Sequence, residues 1–419
     1  MRKLLKRLFL FGFGTLFVVL LYLWPRLPDG EAYFSDISSR SLQADEVGQW
    51  NYLRYLYSEM DATGDLFKDW QKESQLFWKY AIAFTAYGLP SLAMIEPKQR
   101  DLASYYLYIM INKMKEKKVW QEWQDFGFGK DPICKQNIMY KGHLNLMYGL
   151  YSLMSNRDDF EKEFVYLTKI IVDELGETHK DGQYEGIACE PNRFFVHCNA
   201  ITLLSLEIHD KLYGTTYMQS HGSLVLSFIK NNLRDGVSGL YWKMYHPTHD
   251  LVEHYISSYT NAWALVILNY FEPEIHKSLY KVWKKSFVHE WGPFAYVAET
   301  QTGGVSRLAS LFGIWAAKEF RDIDLFEKLR NSFDVFGNLS WQGEDDVMLY
   351  SNLDNTLGNG MILAFKLHMG WKEILDFPWS ARIREIPDTS QMSWTDLFQE
   401  SSSVSNGKIS KKDRVDISL

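Results

Sequence analysis

Between residues 45 and 385 apolar side chains return every three or four positions, the period of a helix with one face turned to a core. Trp78, Ala81, Ile82, Thr85 and Leu89 share one face. Ala103, Leu107, Tyr108, Ile111 and Met114 share another, as do Leu144, Met147, Tyr148 and Tyr151, and Ile201, Leu204, Ile208 and Leu212. Segments at 220–233, 259–271, 276–288, 305–319, 324–336 and 356–370 bring the expectation to about eleven to thirteen helices. Strict alternation is nowhere sustained, so the pattern predicts an all-α domain. Its breaks, at Gly88-Leu-Pro90, Asn156–Asp159, Glu177–Gly182 and His246-Pro247, read as connectors. No strict helix-pair repeat is visible, which disfavours a solenoid. A closed (α/α)6 barrel, a toroid of six helical hairpins, fits better, with Trp and Tyr at the ends of inner helices available to line a cavity.

The two ends break the pattern. Arg2, Lys3, Lys6 and Arg7 precede the uncharged, mostly apolar stretch Leu8–Trp24, which Pro25 and Pro28 close. Seventeen helical residues span about 25 Å, the short end of what crosses a hydrocarbon core. Tyr22, Leu23 and Trp24 stand where a cleavage site would need small residues. Residues 1–30 are therefore expected to be an uncleaved transmembrane signal anchor. Basic residues before the span would hold the N-terminus in the cytosol and place the domain on the exoplasmic side, periplasmic or lumenal. Secretion after signal cleavage is the alternative. Residues 31–390 form the expected domain and 391–419 a polar mobile tail. The net charge of −7 gives no broad positive field, so nucleic acid is not an expected partner.

Candidate chemistry gathers in two runs. In Gly186-Ile-Ala-Cys-Glu-Pro-Asn-Arg-Phe-Phe-Val-His-Cys-Asn199, Cys189 and Cys198 are two of only three cysteines. Pro191 suits the first position of a helix, which would put Cys189 just before it and Cys198 about two turns inside. A thiol at a helix start feels the positive end of the macrodipole, which favours thiolate. A disulfide or a buried core pair would explain the spacing equally well. In the second run, Asn137–Tyr151, Met139, His143 and Met147 fall near one helix face. His143 there is either a core histidine or a general acid or base whose partial burial moves its pKa and a thiol's toward neutrality. Metal-ligand spacings and a phosphate-binding loop are missing, so neither metal nor nucleotide cofactor is expected. The acidic pairs Asp65/Asp69, Glu344/Asp345 and Glu385/Asp388 raise glycoside hydrolysis as a rival, though such pairs are usually solvated.

The runs Ala81–Gly88, Val119–Trp123, Gly127–Pro132, Asn137–Tyr151, Gly186–Pro191 and Ile256–Trp263 resemble linalool dehydratase-isomerase, over roughly residues 45 to 370. The resemblance implies a cofactor-independent (α/α)6 barrel in a homo-oligomeric ring, with its site in the barrel mouth near a neighbouring subunit. It also implies interconversion of primary and tertiary allylic terpene alcohols and dehydration of the tertiary one. Carried over by motif, the site residues are Tyr80, Met139, His143, Cys189 with Glu190, Cys198 and Tyr259. Where the family supplies an Asp and a Tyr to the neighbour's site, this chain has Tyr57 and Thr63, with Glu59 and Asp61 close by. The family's structural disulfide is replaced by Glu116 and a cysteine-free stretch around Leu66. The expected activity is that of a hydratase, dehydratase or isomerase acting on a small lipophilic allylic alcohol. A non-catalytic toroidal binding protein and a carbohydrate-active enzyme on the same fold are the rivals.

Overall fold

The computed structural model describes residues 30–64, 66, 77–155, 157–182, 184–342, 346–353, 357–379 and 383–398. The apolar stretch Leu8–Trp24 and the pairs Asp65/Asp69 and Glu344/Asp345 lie outside them; no helix among the described residues is long and apolar enough to cross a membrane. The fold is all-α. Six helices are apolar nearly all round, because each is buried on every side. They are α2 (Trp78–Tyr87), α6 (Ile138–Met154), α8 (Val196–Tyr213), α10 (Ser258–Leu268), α12 (Arg307–Glu319) and α14 (Leu357–Leu367). Each packs on the next, and α14 returns to α2, so the contacts close into a cycle.

Outer helices, amphipathic except for the first, which buries Asp45, Glu46 and Gln49, cover the cycle from outside. These are α1 (Ala44–Tyr55), α4 (Arg100–Lys115), α7 (Glu161–Asp181), α9 (Ser223–Asn232), α11 (Pro273–Phe287) and α13 (Ile323–Phe336). Four of them make the pattern plain: α4 lies on α2 and α6, α7 on α6 and α8, α11 on α10 and α13 on α12. Shorter pieces, α3 (Leu89–Ile95), α5 (Lys117–Asp125) and α15 (Trp371–Asp376), extend the ends. The inner helices all run the same way. Rings from equivalent depths meet across the centre: Phe84 of α2 lies 4.8 Å from Trp263 of α10, 5.3 Å from Phe312 of α12 and 5.4 Å from His143 of α6.

One device recurs at the start of the inner helices. Asn199, the fourth residue of α8, holds the peptide of Ile187 in both directions, accepting from its N–H at 3.0 Å and donating to its carbonyl at 3.0 Å. Asn261, fourth in α10, does the same to Tyr241 at 2.7 and 2.9 Å, and Asn359 of α14 to Tyr350 at 2.7 and 3.2 Å. Ser310 of α12 accepts from Val297 N–H, and Lys141 of α6 donates to Ile133 carbonyl. Each inner helix from α6 to α14 is thus pinned by its first turn to the connection that leads into it, which fixes that connection over the helix start.

Three features depart from the sequence reading. Short antiparallel hairpins occupy three outer-to-inner connections: β1 (Met244–His246) with β2 (Leu251–Glu253), β3 (Val288–Trp291) with β4 (Phe294–Val297), and β5 (Leu339–Gln342) with β6 (Val347–Tyr350). Strands this short carry too few residues for alternation to register. The expected connector Glu177–Gly182 belongs to α7 as far as Asp181, and Gly182, at φ +68°, ends the helix in the left-handed conformation that glycine adopts freely. The supposed tail from 391 is docked at its start, since Trp394–Phe398 form a 3-10 turn with Leu397 buried and Phe398 5.0 Å from Trp120.

Replacing Asn261 with Leu leaves both backbone groups of Tyr241 buried and unpaired. The expected loss is roughly 2 to 6 kcal/mol, the sum of two unsatisfied groups, and urea denaturation measures it; an unchanged midpoint contradicts the pinning role.

Candidate active site

Because the inner helices are parallel, their N-terminal ends meet at one mouth of the cycle. The sequence between α7 and α8 folds there as Asn199 dictates. Gly186 takes φ +128°, and a Cβ on it would strike the Phe194 ring at 2.4 Å and Asn199 Oδ1 at 2.9 Å. The chain then makes a tight turn: Arg193 N–H donates to Glu190 carbonyl at 2.9 Å, with Asn192 at φ +60°. Pro191 therefore sits in a turn, not at a helix start, and α8 begins only at Val196. That reverses the expected placement of the thiols. Cys198 is the third residue of the helix, under the positive macrodipole end, while Cys189 lies in the loop that Asn199 clamps.

Both are free, buried thiols. Cys189 hydrogen-bonds to Cys198, and their environments drive them apart. Burial, then the neighbouring Cys198, push the Cys189 thiol well above its usual value. Burial also works to raise Cys198, but the hydrogen bond from Cys189, the charge and hydrogen bond of His197 and the charge of Lys79 outweigh it and bring the thiol down to about 6. The surroundings thus favour the thiolate on Cys198 and the thiol on Cys189, a division that belongs to the pair as a unit.

His143, Tyr80 and Tyr259 surround this pair. His143 is fully buried, as in the core reading rather than the partly buried one, and burial together with the charges of His197 and Lys79 lowers its pKa to about 3. It is a neutral imidazole. Its Nδ1 lies 2.5 Å from the Tyr87 hydroxyl, and its buried Nε2 has no protein partner. A phenol that donates to Nδ1 leaves the ring proton on Nε2. The Tyr80 ring stands edge-on to His143 at 5.5 Å and to Trp263 at 5.9 Å, and His197 lies 4.4 Å from Trp263. Burial raises the Tyr259 hydroxyl to about 12, with Glu299 and Cys198 adding to the shift. Met139 and Glu190 line a narrow cleft together with Lys79, Glu122, Trp123 and Phe128. Glu190 is ion-paired to Arg193 at 2.7 Å.

Lys79, Glu122, His197 and Trp263 were not singled out from sequence as members of an acid–base site, yet they decide its electrostatics. Lys79 is 2% exposed and paired to Glu122, and its ammonium lies 5.8 Å from the Tyr80 ring. The available signal was a lysine inside the apolar run Trp78-Lys-Tyr-Ala-Ile-Ala-Phe84, since a cation there must be buried with a partner.

The residues around 57–61 stand apart from the thiols within the chain. Tyr57 is buried against its own core beside Thr85, so its hydroxyl cannot reach outside its subunit. Asp61 pairs with Lys113, which also pairs with Glu116, and Glu59 is exposed. Lys113 thus ties the end of α1 to the α4–α5 junction, near the places where the family resemblance would put a disulfide. Thr63 is exposed, as are Glu385 and Asp388.

The family model described as linalool dehydratase/isomerase matches residues 79–355, two-thirds of the chain and the whole of the mouth just described. The chain belongs to the linalool dehydratase/isomerase family. It is therefore related to enzymes of the lyase and isomerase kind. Likeness to solved structures is faint. An α-amylase from Clostridium perfringens is 14% identical with a TM-score of 0.41, over 68% of this chain and 85% of that one. The GH76A α-1,6-mannanase from Salegentibacter sp. HEL1_6 is 15% identical with a TM-score of 0.42, over 72% and 90%. Scores at that level carry no chemistry across to this family member.

The thiol assignment is open to direct measurement. Thiolate absorbance is expected to rise through pH about 6 for one group only, and to disappear from that range in Cys198→Ala. Lys79→Met, which removes a charge favouring the thiolate, moves the titration upward; no movement contradicts the coupling.

Proposed function

We propose that this chain is a cofactor-independent dehydratase and isomerase of an allylic terpenoid alcohol, built as an (α/α)6 barrel. The closed cycle of parallel inner helices with amphipathic partners supports the barrel. The observation that carries the chemistry is the pair of free, buried thiols beside an aromatic wall, whose surroundings favour the proton on Cys189 and the thiolate on Cys198. An allylic hydroxyl leaves only when protonated, and the C–O bond then breaks to water and a delocalised cation. Cys189 supplies the proton as the bond breaks. His143 Nε2–H holds the hydroxyl oxygen, and the faces of Tyr80 and Trp263 accommodate the cation.

Cys198 thiolate then takes a proton from the carbon next to the cation, giving the diene. The two half-steps leave Cys189 as thiolate and Cys198 as thiol, and passage of the proton along their shared hydrogen bond restores the start. Alcohol goes to diene and water, with every proton accounted for. Isomerisation uses the same first step, followed by return of water to the far end of the allyl system, its proton going back to Cys189. The rival carbohydrate reading requires two carboxylates facing each other across the cleft. Glu122 is bound to Lys79 and Glu190 to Arg193, so the carboxylates lining this cleft are already engaged by cations.

Assembly into a homo-oligomeric ring and anchoring by residues 1–30 complete the reading. With Tyr57 buried and Asp61 engaged by Lys113, the pair Cys189/Cys198 supplies the acid that the family draws from a neighbour.

Cys198→Ala and Cys189→Ala are each expected to lower turnover of geraniol, linalool and longer prenyl alcohols at least about a hundredfold, the scale of a lost acid or base. Full activity in either variant rules out the thiol mechanism. Binding of these alcohols by the unaltered protein without turnover identifies a non-catalytic pocket instead.

A further inference from the structure

After α15, residues 383–398 return along the wall of the cycle. Arg384 fastens them at the C-terminal ends of the inner helices: its N–H donates to the Leu212 carbonyl of α8 at 2.8 Å, its guanidinium donates to the Ser152 carbonyl of α6 at 2.7 Å, and it pairs with Glu161 of α7. Phe398 lies instead against Tyr140, in the first turn of α6, with the rings stacked at 6.4 Å. Tyr140 and Ser152 are about 18 Å apart along that helix. The segment is therefore a strap from one end of the cycle to the other. It follows the residues matched by the family model, 79–355, so its role is read from its own contacts.

The strap ends in a closed turn. Ser393 N–H donates to Asp396 Oδ2 at 2.7 Å and the Ser393 hydroxyl to the same atom at 2.8 Å, while Asp396 N–H donates back to the Ser393 carbonyl at 3.1 Å. Beyond it Leu397 is wholly buried and Phe398 lies 5.0 Å from Trp120. Trp120 belongs to α5, whose nine residues are too few to form a stable helix unaided. α5 packs on α4 and α2. Between α5 and α6 runs the narrow cleft, lined by Trp120, Glu122 and Trp123 from one helix and by Met139 and Tyr140 from the other. Phe398 meets both sides of it, Trp120 of α5 and Tyr140 of α6.

We propose that the strap is a positioning element of the acid–base site, in which Phe398, through Trp120, holds α5 where Glu122 meets Lys79. Trp120 and Glu122 are two residues apart on one short helix, so a shift of the first carries the second with it. The ion pair needs that support. Lys79 is buried, and burial works to strip its ammonium of the proton; Glu122 opposes this most strongly, with Glu190 and Cys198 adding to the pull. A buried lysine whose carboxylate partner moves away gives up its charge. Cys198 then loses one of the cations that favour its thiolate. The inference rests on the electrostatics of the thiols and not on the dehydration chemistry proposed for them.

The test follows the thiolate absorbance that the full chain loses in Cys198→Ala, wherever its midpoint falls. Phe398→Ala is expected to raise that midpoint by about one pH unit, the low end of what one nearby opposite charge contributes, and Phe398→Tyr, which keeps the ring, leaves it in place. Asp396→Ala, which undoes the turn without emptying the core, moves it in the same direction. In a Lys79→Met background Phe398→Ala is expected to add nothing. Leu329→Ala, which opens space in the core beneath α13, lowers the urea midpoint without moving the titration. An unmoved titration in both Phe398→Ala and Asp396→Ala, a further shift in the Lys79→Met background, or an equal shift in Leu329→Ala would each overturn the proposal. Because the readout is a difference between variants, it stands whether or not the protein turns over an alcohol.

Discussion

The favouring of a thiolate on Cys198, a sulfur that is 1% exposed, is the constraint on which the mouth of this protein depends. Burial opposes such a charge, and no single neighbour is enough to hold it. Four contributions converge on Cys198: the start of α8, the hydrogen bond from Cys189, His197 and Lys79. They come from three pieces of chain, because His197 belongs to the first turn of α8 itself. The helix end requires the parallel inner cycle, Cys189 requires the clamp that Asn199 places on Ile187, and Lys79 requires Glu122 from α5 to remain charged in the interior.

The same constraint explains why the surrounding groups are tuned as they are. His143 is kept neutral by burial with its Nδ1 against Tyr87. Tyr80 and Tyr259 are held as phenols by burial and by the adjacent thiols, so they offer hydroxyl groups and ring faces without further charge. The result is a buried aromatic surround for a sulfur whose thiolate is favoured. That combination suits chemistry through a cation on carbon, where water must be excluded until it is wanted.

Pinning recurs because the mouth is built from connections, which are the least constrained parts of a helical fold. Asn199, Asn261 and Asn359 each occupy two backbone groups that would otherwise be buried without partners. Cys189 lies on the connection that Asn199 holds, and Cys198 in the first turn of the helix it enters. A rigid connection can therefore hold reacting groups in register.

By itself the sequence determined the helices, since a 3.6-residue period over segments such as 103–114 and 201–212 has one physical cause. Through its long specific runs around His143 and Cys189 it also pointed to the family, and it named most of the residues that surround the thiols. It did not determine which cysteine sits at a helix start, because Pro191 suits both a helix N-terminus and a tight turn, and only the bond from Arg193 to Glu190 chooses. Nor did it show Lys79 and Glu122 as a pair 43 positions apart, the depth of His143, or Tyr57 turned into its own core. The closing of α14 onto α2 decided these, because burial and charge are properties of what surrounds a residue, and those surroundings arrive from distant parts of the chain.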